Sequence, residues 1–155
     1  MNDLISKLSL RDKTNLVEHY ANSLPQITFE QTGLKLRHYF TDGIYARELF
    51  IPKGIVLTGK IHKYDNLCIM PYGKLAVSID NRIQYVTGPI TYVAEAGIKR
   101  IAHALEDTLW INIHRTDEVD LEKIENHFIA QTEADYLEFL KQQPELPFEK
   151  NKCLT

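Results

Sequence analysis

From Leu34 to His114 the chain is cut at short intervals by turn residues, and the runs between them are rich in β-branched and aromatic side chains. Asp42-Gly43 is a hairpin signal between runs at 34–41 and 44–51. Pro52-Lys53-Gly54 turns the chain into 55–62. Turns at 63–66 and 71–73 bracket 67–70, and 74–79 follows. Asp80-Asn81 is a tight turn into 82–87, Gly88-Pro89 breaks the chain before 90–94, and Gly97 opens a strand to about Ala104. Glu106-Asp107 turns into 108–114. Many short strands with Gly, Pro and Asn between them predict a mainly β chain, a closed barrel or jelly roll.

Both flanks change period. Leu4, Ile5, Leu8, Leu16, Val17, Tyr20 and Leu24 recur at helical spacing, with Ser9 and Asp12 as a cap and Pro25 as a stop. This predicts one or two helices packed on the outside of the main body. After the barrel, Thr116 or Asp117 can cap a helix carrying Val119, Leu121, Ile124, Phe128 and Ile129. A second helix starts at Thr132 with Ala134, Tyr136, Leu137 and Leu140, and Pro144 and Pro147 end it. The organisation is a helical segment at 1–25, a barrel at 26–116, and helices with a loosely held tail at 117–155. At 155 residues these parts make one domain.

Composition excludes several functions. The formal net charge is −3 and no Lys/Arg run stands out, so the footprint of a nucleic-acid binder is missing. Charges or Pro interrupt every apolar stretch before membrane-spanning length. The N-terminus has no continuous apolar run of the secretory type and reads as part of the mature protein, and the cysteine usage suits a reducing cytoplasm. Cys68 and Cys153 do not form a disulfide framework or a zinc pattern.

The stretch GIVLTGKIHKYDNLCIMPYG, 54–73, carries the most specific pattern. It resembles the first motif of the cupin superfamily, G-x5-H-x-H-x3,4-E-x6-G, with Gly54 and Gly73 at the correct spacing and His62 on the second His position. Lys60 replaces the first His and Asn66 stands where the Glu belongs. Residues 94–97 resemble the P-x-G turn of the second motif without its Pro, with Arg100 on the His position and Ala104 on the terminal Asn. Within the superfamily the chain resembles short single-domain cupin-like proteins of tailed bacteriophages. That resemblance implies a cupin jelly-roll barrel with N-terminal and C-terminal helices, working in a host cytoplasm.

Residues two apart on a strand share a face. Val56, Thr58, Lys60 and His62 therefore point one way, into the lumen if the superfamily's geometry holds. Ile55, Leu57 and Ile61 make an apolar outer face suited to a symmetric homodimer. A cupin metal site needs neutral imidazoles and a carboxylate, whereas a protonated Lys or an Arg offers no lone pair. No metal ligand set and no cofactor is therefore expected, a divalent metal being the disfavoured case. A two-His site with Glu48 or Asp65 is its remaining form.

The altered pocket suits a small anion better. Lys60 and Arg100 supply charge, and His62 and His114 can donate. Asn66 and Asn112 give adaptable hydrogen bonds, and Trp110, Tyr45 and Tyr64 can cover a flat ring. His114, Asn112 and Trp110 share a face. Each residue also has a plainer reading. Lys60 and Arg100 read as surface charges, Trp110 as core, His38 as a core or interface histidine, and His19 and His127 as exposed. Cys68 reads as a packed thiol.

Three functions fit. The first is a metal-free barrel binding a small anionic molecule, possible nucleotides included, and by the phage resemblance sequestering a host signal to blunt antiviral defence. The second is a cupin enzyme: a metal-dependent oxygenase or isomerase, or a metal-free epimerase or lyase with His62 as acid or base. The third is a structural or interaction module.

Overall fold

In the computed structural model, residues 7–26, 28–79 and 82–143 are described. The start of the N-terminal helical pattern at Leu4 and Ile5, the Asp80-Asn81 turn, and Pro144, Pro147 and Cys153 lie outside them.

Eleven short strands among these residues build the body, all paired antiparallel. One sheet has the order β1 (Lys35–Thr41), β2 (Ile44–Ile51), β10 (Thr108–Arg115), β5 (Asn66–Tyr72), β8 (Ile90–Ala94). The facing sheet has the order β3 (Val56–Thr58), β9 (Ile101–Ala104), β6 (Lys74–Ile79), β7 (Arg82–Thr87). A two-stranded pair, β4 (Ile61–His62) with β11 (Ile129–Ala130), stands apart. The chain passes from one sheet to the other between β2 and β3, β5 and β6, β7 and β8, β8 and β9, and β9 and β10, which gives the jelly-roll barrel that the punctuation of the sequence predicts.

The floor of the barrel is apolar. Ile51 and Met70 from the first sheet meet Leu75, Val77 and Ala104 from the second, with Leu49, Ile55, Leu57 and Trp110 packed around them. Burying a side chain such as Ile51, Met70, Leu75 or Val77 contributes about 1.5–3 kcal/mol. This reverses the expected facing of β3. Ile55 and Leu57 turn inward, and Val56 is 57% exposed. The strand expected at 55–62 is broken at Gly59-Lys60, where the Gly59 N–H donates to the Arg100 carbonyl at 2.7 Å. Ile61–His62 then leaves the sheet and pairs with β11, so alternation does not carry through from Val56 to His62. Ile61 is buried and forms no outer face.

Helix α1 (Leu10–Ser23) starts where expected, with Ser9 Oγ accepting from the Asp12 N–H at 3.1 Å. The apolar residues that gave its period are exposed: Leu16, Val17, Tyr20 and Leu24. Polar contacts tie it to the barrel. Glu18 pairs with Lys99 at 2.6 Å and accepts from the Thr58 hydroxyl at 3.2 Å, and Arg11 donates to the Gly97 carbonyl.

Helix α2 (Leu121–Phe128) begins later than expected. Asp120 caps it, accepting from the Glu122 and Lys123 N–H groups. Asp117 instead accepts from the Gly43 N–H at 3.0 Å and Thr116 Oγ1 accepts from the Glu118 N–H, tying the approach to the β1–β2 turn. Ile129, expected in the helix, is the first residue of β11. Helix α3 (Glu133–Gln142) follows a capping box between Thr132 and Asp135, as the sequence predicts.

Candidate functional site

The inner face of the five-stranded sheet is layered, because directly opposed residues of an antiparallel ladder point the same way. Leu36, Leu49 and Trp110 form an apolar row across β1, β2 and β10. The next row is polar and spans all five strands: His38 opposes Arg47, Arg47 opposes Asn112, Asn112 opposes Cys68, and Cys68 opposes Tyr92. Above it stand Phe40, Tyr45 and His114. Helix α2 closes the barrel over this last row, burying Ile124 and Phe128 beside Tyr45.

Between sheet and helix lies a cavity of about 190 Å³. His38, Tyr45, Arg47, His62 and His114 form its polar side. Leu121, Ile124, Phe128 and Ile129 form its apolar side, Leu36 adds an apolar contact from the sheet, and Lys60 and Glu125 stand at its rim. His62 and His114 stack with ring centroids 5.4 Å apart and planes within 7° of parallel. Phe128 packs on His114 at 4.4 Å, and Tyr45 donates to or accepts from His38 Nδ1 at 2.8 Å. Burial holds both stacked imidazoles neutral, pulling each down to about 4. For His114 the neighbouring His62 adds to the effect, and the Arg47 guanidinium adds to it for both. His38 is lowered by the same two causes, burial first, and Tyr45 is raised by burial.

A chain of hydrogen bonds runs behind the cavity. The Trp110 indole N–H donates to Asn112 Oδ1 at 3.1 Å, and Asn112 Nδ2 donates to Asn66 Oδ1 at 2.8 Å and to Cys68 Sγ at 3.1 Å. An indole can only donate, so it fixes which way the Asn112 amide faces, and Asn112 in turn fixes Asn66. Asn66 Nδ2 is left buried with no protein partner, as are His62 Nδ1 and Arg100 Nε. Cys68 is pushed up to about 11, chiefly by burial, which leaves it a packed, inert thiol. Tyr92 is raised for the same reason.

The nine residues singled out from sequence are thus divided, Tyr45 lining the cavity. Lys60, His62 and His114 line the cavity. Asn66, Asn112 and Trp110 form the supporting chain. Arg100 lies close enough to Cys68 and Tyr92 to act on both electrostatically, deeper in the barrel. Tyr64 is on the outside, stacked on His127 at 5.2 Å in a wider groove of about 410 Å³ that shares only His114 and Phe128 with the cavity. Lys60 is not a lone lumen charge, since it is exposed and paired with Glu125. Arg47 was missed. Its signal was the alternation Tyr45, Arg47, Leu49, Ile51, which puts a cation in a row of core residues. Ile124, Glu125 and Phe128 came to the site with the helix, and their placement needs the tertiary fold.

The donor set does not suit the divalent ion that the superfamily's motif implies. An imidazole lone pair lies in its ring plane, and two nearly parallel planes give no shared point for a metal. Arg47 acts on both rings and would oppose a cation. Glu48, a suggested third ligand, turns outward to Arg37 at 3.2 Å, and Asp65 accepts from the Ala96 N–H at 2.8 Å. Among the described residues no group of three or more His, Cys, Asp or Glu is placed to hold a metal.

No protein-family model matches this chain, and no curated protein matches it. Solved structures of similar fold include KdgF from Halomonas sp., 17% identical over 64% of this chain and 93% of that one, with a TM-score of 0.48. An RmlC-like cupin from Shewanella frigidimarina is 19% identical over 63% of this chain and 96% of its own, at 0.46. A cupin superfamily protein from Desulfitobacterium hafniense is 10% identical over 63% and 87%, also at 0.46. These likenesses concern the fold alone. The architecture is a jelly-roll barrel with one helix before it and two after it among the described residues. No helix among them is long and apolar enough to cross a membrane.

Proposed function

We propose that this chain binds a small anionic molecule, holding its charge against Arg47 in the mouth of the barrel without a metal. One observation carries the reading. Arg47 lines the cavity among three imidazoles, and among the described residues no carboxylate stands within ion-pair distance of it. A partly buried cation without a counterion is costly, and a bound anion removes that cost. The unpartnered Asn66 Nδ2 and Arg100 Nε add donors deeper in the lumen.

This moves the anchor from Lys60, whose charge is met by Glu125, to Arg47. Acid–base catalysis by His62 fits less well, because a base whose conjugate acid sits at about 4 is weak at neutral pH. The expectation that the ligand is a host signal in antiviral defence adds a biological setting, and the binding proposal does not depend on it.

The test is thermal unfolding at constant ionic strength with acetate or inorganic phosphate added. A ligand that binds only the folded state raises Tm. Wild-type protein is expected to shift upward and Arg47→Gln to stay still. Equal shifts in the two proteins would sink the reading.

A further inference from the structure

Resting on the binding reading above, we infer that the ligand is a compact monoanion with an apolar body, a monocarboxylate of about benzoate size. Size, charge and wall chemistry each point to this class. The cavity holds about 190 Å³. An apolar cavity of about 150 Å³ accepts benzene, whereas drug-sized ligands occupy about 300–1,000 Å³. A ring with one small substituent fits within it, and a nucleotide would extend beyond its mouth.

The charge count gives the valence. Glu125 meets Lys60 at the rim, and the three imidazoles that face the cavity are neutral. Arg47 is then the one charge left uncompensated among the residues lining the cavity. A monoanion balances it, and a second negative charge would lie against neutral rings or near Glu125. A planar carboxylate also matches the guanidinium fork.

The walls give the body. Across from the sheet that carries Arg47 stand Ile124, Phe128, Leu121 and Ile129, Leu36 lines the cavity from the sheet itself, and none of these five carries a hydroxyl or amide side chain. A polyhydroxylated anion would leave its hydroxyl groups without partners there, at a cost for each. A carbon skeleton gains by burial instead.

The experiment is isothermal titration of the full chain at constant ionic strength with four probes: benzoate, benzyl alcohol, phthalate and adenosine monophosphate. Benzoate is expected to bind at least tenfold more tightly than each of the other three. Leu121→Phe, which fills the cavity from α2, across from the sheet that carries Arg47, is expected to abolish benzoate binding while the far-UV spectrum stays native. Phthalate or the nucleotide binding as tightly as benzoate would overturn the inference and leave anion binding standing. So would silence from benzoate when inorganic phosphate still stabilises wild type and not Arg47→Gln. Benzyl alcohol binding as tightly as benzoate, with Arg47→Gln indifferent to both, would overturn the binding reading itself.

Discussion

His62 and His114 stack inside the mouth of the barrel, one from the short β4 pair and the other from the central strand β10, with ring planes 7° from parallel. Burial at this site disfavours the charged form of either ring. Burial lowers both to about 4, well under the value of about 6.5 for an unfolded histidine. As pH falls from neutrality the unfolded chain therefore binds protons first. The stability tied to the pair is complete above about pH 6.5 and is lost as pH falls toward 4. Its size is roughly 2–3 kcal/mol per imidazole by pH 4, and the two protonations belong to the pair. Urea unfolding at a series of pH values is expected to show this loss, and His114→Phe, which keeps a ring against Phe128, to show a smaller one. Histidine NMR signals from folded protein titrating near 6.5 at both positions would refute the buried stack.

Trp110 governs amide orientation two residues along its own strand. With the indole removed in Trp110→Phe, Asn112 Oδ1 loses its donor, and nothing forces Asn112 Nδ2 toward Asn66. The expected loss is about 1–3 kcal/mol, the cost of leaving a buried acceptor unmade. Since the chain has a single Trp, unfolding must be followed by far-UV circular dichroism. The Asn66 and Asn112 side-chain amide signals are expected to collapse from well-dispersed positions. Unchanged stability with unchanged amide signals would show that the indole does not hold the chain.

The strand runs were legible because turn chemistry is local: Asp42-Gly43, Gly88-Pro89 and Glu106-Asp107 each separate strands in the fold. Facing was less legible where a strand breaks. Alternation predicted Val56 and Lys60 on the lumen side, but Gly59 bonds to Arg100 and the following pair joins a different strand. On α1 the apolar period pointed the wrong way, because polar contacts at Arg11 and Glu18 hold that helix. The site was half legible. Trp110, Asn112 and His114 follow from one strand's period, and Arg47 from another's. The roof of the cavity, by contrast, comes from a helix whose docking over the barrel no local pattern encodes.

The Lys60–Glu125 pair joins the β3–β4 loop to α2 at the rim of the cavity. Both side chains are partly exposed, 45% and 31%, so solvent screens the attraction. A double-mutant cycle with Lys60→Ala and Glu125→Gln is expected to give a coupling of about 1 kcal/mol or less, falling with salt. The helix has firmer ties. Lys63 donates from its backbone to the Phe128 carbonyl and from Nζ to the Asn126 carbonyl, each at 2.7 Å, and Asp120 caps the first turn. Asp120→Ala should cost about 1 kcal/mol by itself. A coupling of several kcal/mol for the rim pair would mean that α2 closes more tightly and shields it from water.

Gly54 and Gly73 bracket the central motif, and the fold uses them differently. Both have positive φ, +89° and +107°, where side chains are strained. At Gly54 nothing lies within 4 Å of an added Cβ. Gly54→Ala is therefore expected to cost only the backbone strain, about 1–2 kcal/mol. At Gly73 an added Cβ would stand 2.5 Å from Thr108 Cα and 2.3 Å from its hydroxyl oxygen. Thr108 cannot retreat, because it is fully buried, accepts from the Lys74 N–H and donates to the Glu106 carbonyl. Relief would have to pull the β5–β6 turn away from β10, opening the barrel beside its apolar floor. Gly73→Ala is expected to lose more than about 3 kcal/mol, a large share of the stability of an ordinary domain. Soluble yield and thermal unfolding of the two variants side by side decide the matter. Similar, small losses for both would show that the turn can move off Thr108 cheaply, and that the second glycine is kept for its φ alone.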